Sequence, residues 1–443
     1  MVDILLIQPP IADFYHTAKR TIPYGLASIA AAVSHGGFSV DILDAMATRK
    51  SRVITPPEAM AHLAPFYGRP DLSPFALFHR FRHYGYSFEH IGRQAKRSGA
   101  FLVGIAALFT AYSEMAFAVA RTVKAALPDC TVVLGGHHPT ALPAAVMSEP
   151  AVDLVIRGEG ESSLPMLAAA LKSHGRLIDV PGVVFRNPDG SLHISEPALG
   201  CEPDRLPVPA FGLIRRKFYQ RDGKDSIVTT AGRGCPLSCS YCATGKGSWM
   251  GFRKRSVSAV LREIRDASAG RRVGLVDFED ENLTMDRRWF LSLMEGIGEI
   301  FKDSQPELRA MNGLFPPSLT ETVVRVMKRT GFKTLNLSLG SADRSQLDRF
   351  NRPDVRDAFD RALDNARREA LSAVGYIIVG APDQDPLSSV DDLLFLARRR
   401  VLAGVSVFYP APGSADYDRC RELGLLPSSV DGMRATALPI DQR

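Results

Sequence analysis

Residues 231–244 read Ala231-Gly232-Arg233-Gly234-Cys235-Pro236-Leu237-Ser238-Cys239-Ser240-Tyr241-Cys242-Ala243-Thr244, a loop marked by glycine and proline whose cysteines are spaced C-x3-C-x2-C. Three of the six cysteines of the chain fall between 235 and 242. Thiols gathered this tightly in a chain without a secretion signal are more often metal ligands than disulfide partners, because the cytosol keeps cysteine reduced. Zinc is the first rival. A structural zinc site wants four tetrahedral ligands, usually as two close pairs, and this chain offers no second pair: no histidine follows His193, and the only later cysteine is Cys420. A [4Fe–4S] cluster takes four thiolates as a rule, so three from one loop would hold three irons and leave the fourth open to a small molecule. The spacing favours that reading.

With Tyr241 just before the third cysteine, the motif resembles the signature of radical S-adenosylmethionine (SAM) enzymes. The resemblance implies that the amino and carboxylate groups of SAM chelate the open iron. An electron from the cluster, supplied by a flavodoxin- or ferredoxin-type donor, would then cleave the sulfonium and release a 5′-deoxyadenosyl radical. Such a radical needs no imidazole base, which suits a second half without histidine, although a Tyr, Cys or carboxylate could still be required.

A chain of 443 residues exceeds one ordinary core and is expected to form two domains. Its composition, 45% hydrophobic and 23% charged, is that of a soluble globular protein. The net charge of +6 comes from Lys and Arg scattered among nearly as many acids, without the aromatic-interleaved basic stripe that nucleic-acid binding needs. The apolar run at the N-terminus is broken by Asp3 and stops at Pro9-Pro10, so no signal peptide is expected. The longest apolar segment, Phe101 to Phe109, falls far below the roughly 20 residues of a membrane span. A cytoplasmic enzyme with a small-molecule substrate is expected, with no nucleic-acid partner and no integral membrane segment.

Strands are expected over residues 2–8, 38–43, 101–107, 131–134 and 152–156, with helices over 25–33, 113–127 and 162–172. This alternation describes an open, doubly wound, Rossmann-like α/β domain whose ligands lie at the C-terminal strand ends. Ahead of a radical SAM motif, the order is similar to the cobalamin-binding domain of cobalamin-dependent radical SAM enzymes. The matching pieces are Gln8-Pro9-Pro10, Phe109-Thr110-Ala111-Tyr112, Gly135-Gly136-His137-His138-Pro139-Thr140 and Gly158-Glu159-Gly160-Glu161. The resemblance implies cobalamin contacts at Gln8, Thr110, Tyr112, Gly135, Gly136, His137 and Thr140, with the nucleotide tail beside the Gly-Gly loop. The D-x-H-x-x-G motif whose histidine binds cobalt in methionine-synthase-like proteins does not occur, and Asp13 and His16 are spaced differently. Cobalamin is therefore expected with no histidine on cobalt.

Residues 45–98 form a long insertion holding Phe66, Tyr67, Phe75, Phe78, Phe81, Tyr84, Tyr86 and Phe88. It is expected either to be a helical insertion that closes over the upper face of the corrin or the substrate, or to pack on a small core of its own. A hairpin around Asn187-Pro188-Asp189-Gly190 follows. The domains are then read as 1–200 for cobalamin, 201–225 as hairpin exit and linker, 226–420 as the radical SAM barrel and 421–443 as a C-terminal tail. Of the remaining cysteines, Cys130 is expected to be small and buried, Cys201 a linker thiol and Cys420 a helix residue.

Six barrel strands are expected over 226–230, 273–278, 308–312, 334–339, 373–379 and 405–409, giving a partial (β/α)6 barrel with its site at the C-terminal strand ends. Ser256 is placed to cap the helix after the basic run Phe252-Arg253-Lys254-Arg255, whose cations could offset cluster charge or simply line an exposed turn. The second strand opens into Glu279-Asp280-Glu281-Asn282, polar groups that are costly to bury unpaired. By the resemblance, Glu281 and then Asn282 would contact the methionyl ammonium of SAM, Ser338 and Ser341 its ribose or carboxylate, and Gly380 the turn beside adenine, while Tyr241 belongs to the same site. Many members carry a Glu near 338–341 that this chain lacks.

The resemblance implies a cobalamin-dependent radical SAM methyltransferase acting on an unactivated carbon or phosphorus centre through a 5′-deoxyadenosyl radical and methylcobalamin. The alternatives are a radical rearrangement, cyclisation or other SAM-fragment transfer without methylation, and a non-catalytic cobalamin sensor with a structural metal.

Overall fold

The structure, a computed structural model, describes residues 1–15, 18, 21–63, 80–200, 202–246 and 248–434. The chain forms two compact units, Met1–Phe218 with the segment that begins at Pro427, and Tyr219–Leu426.

The first unit runs β1 (Ile4–Gln8), β2 (Ile11–Asp13), α1 (Tyr24–His35), β3 (Val40–Asp44), β4 (Ser51–Val53), β5 (Arg82–Tyr84), α2 (Phe88–Ser98), β6 (Leu102–Ala106), α3 (Ser113–Ala126), β7 (Thr131–Gly135), α4 (His137–Ala141), α5 (Pro143–Met147), β8 (Leu154–Ile156), α6 (Gly160–Ser173), β9 (Val183–Arg186) and β10 (Leu192–Ile194). Its sheet has the order β10-β9-β8-β7-β6-β1-β3. The strands from β3 to β8 are parallel, and β9 and β10 add an antiparallel hairpin. Ile4, Leu5, Leu6 and Ile7 of β1 are all buried, so neither face of this strand meets water. A strand covered by helices on both sides reads as an unbroken apolar run, which is why it was legible.

The parallel order 3-1-6-7-8 is that of flavodoxin-like folds, and the chain reverses direction across the sheet between β1 and β6. Ligands of open α/β sheets bind outside the carboxyl ends of the strands at such a switch point. The fold therefore singles out the loops after Gln8 and Ala106.

Over its described residues the insertion holds short strands as well as the helix α2 at its end. Its short strands β4 and β5 join β2 in an antiparallel sheet of order β2-β5-β4, and Ile11, Met46 and Tyr84 form a small core beneath it. Phe14 and Phe81 meet edge to face, 5.0 Å between ring centroids. Phe66, Tyr67, Phe75 and Phe78, like His16 and Cys201, lie outside the described residues.

Arg434 ties the segment after Pro427 to the first unit. Its guanidinium donates to Ala12 O at 2.8 Å and Ala111 O at 2.6 Å, and lies 3.4 Å from the carboxylate of Asp13. Both charges are almost completely buried. The stretch read from the sequence as a tail, 421–443, thus supplies one half of a buried ion pair at Arg434.

The second unit runs β11 (Gln220–Arg221), β12 (Lys224–Thr229), β13 (Gly232–Arg233), β14 (Arg253–Lys254), α7 (Val257–Ser268), β15 (Val273–Phe278), α8 (Arg287–Ile300), β16 (Glu307–Ala310), α9 (Glu321–Thr330), β17 (Thr334–Gly340), α10 (Arg344–Arg349), α11 (Arg356–Arg368), β18 (Ser372–Val379), α12 (Pro386–Arg398), β19 (Leu402–Val407) and α13 (Ala415–Glu422). β12, β15 and β16 pair in parallel, as do β17, β18 and β19. Parallel bridges Leu308–Phe332 and Leu314–Leu337 join the two halves into a six-stranded arc. Side chains alternate across it. Leu335, Leu337 and Leu339 of β17 are fully buried, whereas Asn336 and Ser338 between them belong to the other face of the strand.

Helix starts follow the expected chemistry. Ser256 accepts from Ala259 N at the start of α7 as expected, and Asp286 and Thr320 do the same for α8 and α9. Among the described residues, no helix is long and apolar enough to cross a membrane.

Candidate functional site

The cysteine loop leaves the C-terminal end of β12, where several distant elements hold its backbone. Asp280, just past β15, accepts from Ala231 N with both carboxylate oxygens at 3.0 and 2.8 Å. Burial pushes this carboxyl up to about 7. The β13–β14 pair, Gly232 opposite Lys254 and Arg233 opposite Arg253, closes the loop across its base. Ser240 donates from its backbone to Phe350 O at 2.9 Å and from its hydroxyl to Asp416 at 3.0 Å. Asn351 donates to Ser238 O at 2.9 Å. An irregular loop with its amides and carbonyls engaged in this way holds its side chains in place without help from a ligand.

Each of the three sulfurs has a polar side chain against it. Asn282 Nδ2 lies 2.9 Å from Cys235 Sγ, Arg352 Nη1 lies 3.6 Å from Cys239 Sγ, and Thr244 Oγ1 lies 3.2 Å from Cys242 Sγ. Cys235 and Cys239 are buried and Cys242 partly so. Burial pushes the Cys235 and Cys242 thiols up, and the nearby Glu281 carboxylate adds to both shifts. Thiolates in such surroundings need metal charge against them. Among the described residues no three His, Cys, Asp or Glu side chains gather around a single ion, and three thiolates that each bind a different iron of a cluster need not do so. Buried or partly buried thiols, each with a polar side chain against it, on a loop held by its own backbone bonds, suit an iron–sulfur cluster.

The expected SAM residues divide into two groups. Tyr241, Glu281 and Asn282 lie with the cysteines. Tyr241 stands edge-on to Phe350 and accepts from Arg352 Nη1 at 3.0 Å. Burial, with Glu279 next, pushes the Glu281 carboxyl up, and no hydrogen bond or ion pair engages it among the described residues. Asn282 commits its amide to Cys235. Ser338 and Ser341 are turned elsewhere: the Ser338 hydroxyl donates to Leu314 O at 3.0 Å, and that of Ser341, fully buried, reaches both oxygens of Asp392 at 3.0 and 2.9 Å. Gly380 follows β18 with φ +79°.

The cations after the loop are otherwise engaged. Lys254 pairs with Asp286 at 2.7 Å, and Arg255 pairs with Glu263 at 2.7 Å while donating to Thr230 O. Arg352 is a cation that lies beside a sulfur, that of Cys239, and no motif in the sequence marked it. An ion pair between Asp277 of β15 and Arg309 of β16 was also missed.

At the switch point of the first unit, Gln8 ends β1, half-buried. Gly135 ends β7, and a Cβ placed there would find only Ile156 O, 3.8 Å away, so the position is open. Gly136 has φ +122°, and a Cβ would stand 2.8 Å from Ala107 O, which makes glycine a requirement of the β6–β7 approach itself. Half-buried His137 begins α4. Thr140 Oγ1 donates to Gly136 O at 2.7 Å and accepts from Gly158 N at 2.9 Å, which joins two of the expected loops. Thr110 meets His138 Nδ1 at 3.2 Å, and this histidine is buried and pushed down to about 4 by desolvation. The Tyr112 hydroxyl donates to Asp13 at 2.5 Å. Two large apolar side chains after β6, Leu108 and Phe109, are more than half exposed.

A family model described as the B12 binding domain matches residues 77–168, and one described as the radical SAM superfamily matches residues 229–396. An uncharacterised methyltransferase of Pyrococcus horikoshii is 27% identical over 300 residues, which are 67% of this chain and 64% of that protein. The chain thus spans just under two thirds of that relative's length. The cytidylyl-2-hydroxyethylphosphonate methyltransferase of Streptomyces wedmorensis is 23% identical over 411 residues, covering 86% of this chain and 73% of the relative. Among solved structures, the radical SAM methyltransferase TsrM of Kitasatospora setae, with cobalamin and a [4Fe–4S] cluster bound, superposes with a TM-score of 0.69 over 96% of this chain and 78% of its own. At 15% identity that likeness is one of fold. With a B12-binding match in one unit and a radical SAM match in the other, the chain combines the two kinds of domain found together in cobalamin-dependent radical SAM enzymes.

Proposed function

We propose that the protein is a cobalamin-dependent radical SAM methyltransferase that transfers a methyl group to an unactivated carbon or phosphorus centre of a small molecule. The observation that carries this reading is the cysteine loop, in which two buried sulfurs and one partly buried sulfur each meet a polar side chain, while Glu281 beside them has no hydrogen bond or ion pair among the described residues. In this family a cluster supplies the electron that cleaves SAM, and cobalamin carries the methyl group. Cys235, Cys239 and Cys242 are the proposed cluster ligands. Glu281 is the proposed acceptor for the methionyl ammonium: an ammonium placed against it would pair a half-buried carboxylate that has no hydrogen bond or ion pair among the described residues. Asn282 orients Cys235, and Asp280 holds the loop that carries all three sulfurs. Tyr241, backed by Phe350, keeps a fixed ring beside the SAM site. Ser338 and Ser341 shape that site through the backbone, since their hydroxyl protons are already spent.

For cobalamin, the proposed contacts are Gln8, Gly135, Gly136 and His137, with Leu108 and Phe109 offering apolar surface to the flat ring. Thr110, Tyr112 and Thr140 hold the surrounding loops. His138 is turned towards Thr110, so no histidine is proposed on cobalt. A low-potential flavodoxin or ferredoxin would deliver the electron, in a cytoplasmic setting.

Incubating the anaerobically reconstituted protein with methyl-deuterated SAM, a strong reductant and the low-mass fraction of an anaerobic extract tests the activity. A product three mass units heavier than its unlabelled counterpart is expected together with 5′-deoxyadenosine. SAM cleavage with no label in any product would favour rearrangement or cyclisation, and no cleavage at all would favour a sensor.

A further inference from the structure

Resting on the cluster reading above, we infer that Arg352 is a positioning residue that sets the reduction potential of the cluster by fixing a positive charge against the Cys239 sulfur. Its guanidinium is 8% exposed, and its donors go in four directions. Nε donates to Leu339 O at 3.2 Å, Nη2 to Ser338 O at 2.7 Å, and Nη1 to the Tyr241 hydroxyl at 3.0 Å and towards Cys239 Sγ at 3.6 Å. Two backbone carbonyls and a phenol therefore hold the plane of the charge, and the remaining bond points at the sulfur.

Space for it is built into β17. Gly340 has φ +86°, and a Cβ there would stand 2.7 Å from Arg352 Cδ and 2.8 Å from its Nε. The guanidinium occupies room that a side chain at 340 would take. With its donors so engaged, Arg352 is poor as a direct hold on a substrate carboxylate and well placed as a permanent local charge. An arginine suits this role because it stays protonated when buried.

The electrostatic consequence has a definite sign. Reduction adds one electron to the cluster from an external low-potential donor, and a buried cation next to a ligand sulfur favours the more negative, reduced state. Hydrogen bonds to the sulfurs and local charge are the levers by which proteins move such potentials. The groups against the other two sulfurs are neutral, the Asn282 amide at Cys235 and the Thr244 hydroxyl at Cys242, so the charge acts at Cys239.

The test is a redox titration of the reconstituted protein, followed by the electron paramagnetic resonance signal of the reduced cluster, in wild type, Arg352→Gln and Arg352→Lys. Iron and sulfide are measured in each preparation. The glutamine variant, loaded with about four irons per chain, is expected to show at least a tenfold lower ratio of reduced to oxidised cluster at a fixed potential, which for one electron is a shift of about 59 mV. The lysine variant keeps the charge and is expected to stay closer to wild type. A loaded glutamine variant that titrates like wild type overturns the inference, as does a lysine variant shifted as far as glutamine. Should the glutamine variant fail to hold four irons, Arg352→His decides within one preparation. Its reduced fraction must fall as pH rises and the imidazole loses its charge, and a pH response identical to that of wild type overturns the proposal. A wild-type protein that takes up no iron would instead refute the cluster reading on which the inference rests.

Discussion

Arg434→Met removes one half of a buried ion pair and has the most calculable cost in the molecule. In the folded protein the guanidinium satisfies Ala12 O and Ala111 O and neutralises Asp13, whose side chain is 0% exposed. Methionine fills similar volume but donates nothing. Asp13 keeps its bonds from Phe14 N at 2.7 Å and the Tyr112 hydroxyl at 2.5 Å, yet this buried carboxylate loses the guanidinium 3.4 Å away. Breaking a buried pair from one side costs about 3–5 kcal/mol, against a total of about 5–15 kcal/mol for an ordinary domain. The first unit should therefore unfold at markedly lower urea. Because Ala12 and Ala111 lie in the loops after β1 and β6, hydroxocobalamin should also bind more weakly in a spectral titration. The double variant Asp13→Asn with Arg434→Met removes both charges of the pair and should recover at least half of the lost stability. Urea unfolding of the three proteins, followed by circular dichroism, measures this. An Arg434→Met protein within about 1 kcal/mol of wild type would refute the reasoning, because only a solvent-exposed pair is worth so little.

Three further outcomes are expected. Cys239→Ala should hold substantially less iron and sulfide than wild type after anaerobic reconstitution, with its secondary structure unchanged by circular dichroism. Asp280→Ala leaves the buried Ala231 amide without an acceptor, so the barrel should lose about 1–3 kcal/mol in chemical denaturation and bind its cluster less tightly. His138, held near pKa 4 against an ordinary 6.5, stays neutral in the fold while the unfolded chain takes up a proton. Its contribution is complete above pH 6.5 and is lost as pH falls towards 4, by about 3 kcal/mol in all. A stability profile measured between pH 4 and 7 should be flatter in His138→Gln.

What was legible in the sequence was set by local rules. β1 could be read because both of its faces are buried, and the barrel strands because each ends in a turn or a polar loop. The cysteine spacing carries its chemistry within eight residues. The short strands β2, β4, β5, β13 and β14 were invisible because pairings of two or three residues depend on a partner that only the fold supplies. Long-range neighbours account for the rest. Asn282 reaches Cys235 because β12 and β15 lie side by side in parallel, so an amide expected to face SAM faces a sulfur. Ser341 is spent on Asp392, 51 residues on, and Arg352 meets Cys239 across 113. No spacing rule links such positions.

The central claim is that three cysteine sulfurs leave one iron of a cluster for SAM. Electron–nuclear double resonance on the reduced, reconstituted protein, with SAM carrying ¹⁵N in its methionyl amine, addresses it directly. A ¹⁵N hyperfine coupling of the size expected for nitrogen bonded to iron, absent without SAM, is the predicted result. A spectrum indifferent to labelled SAM, with the fourth iron held by a protein side chain, would contradict it.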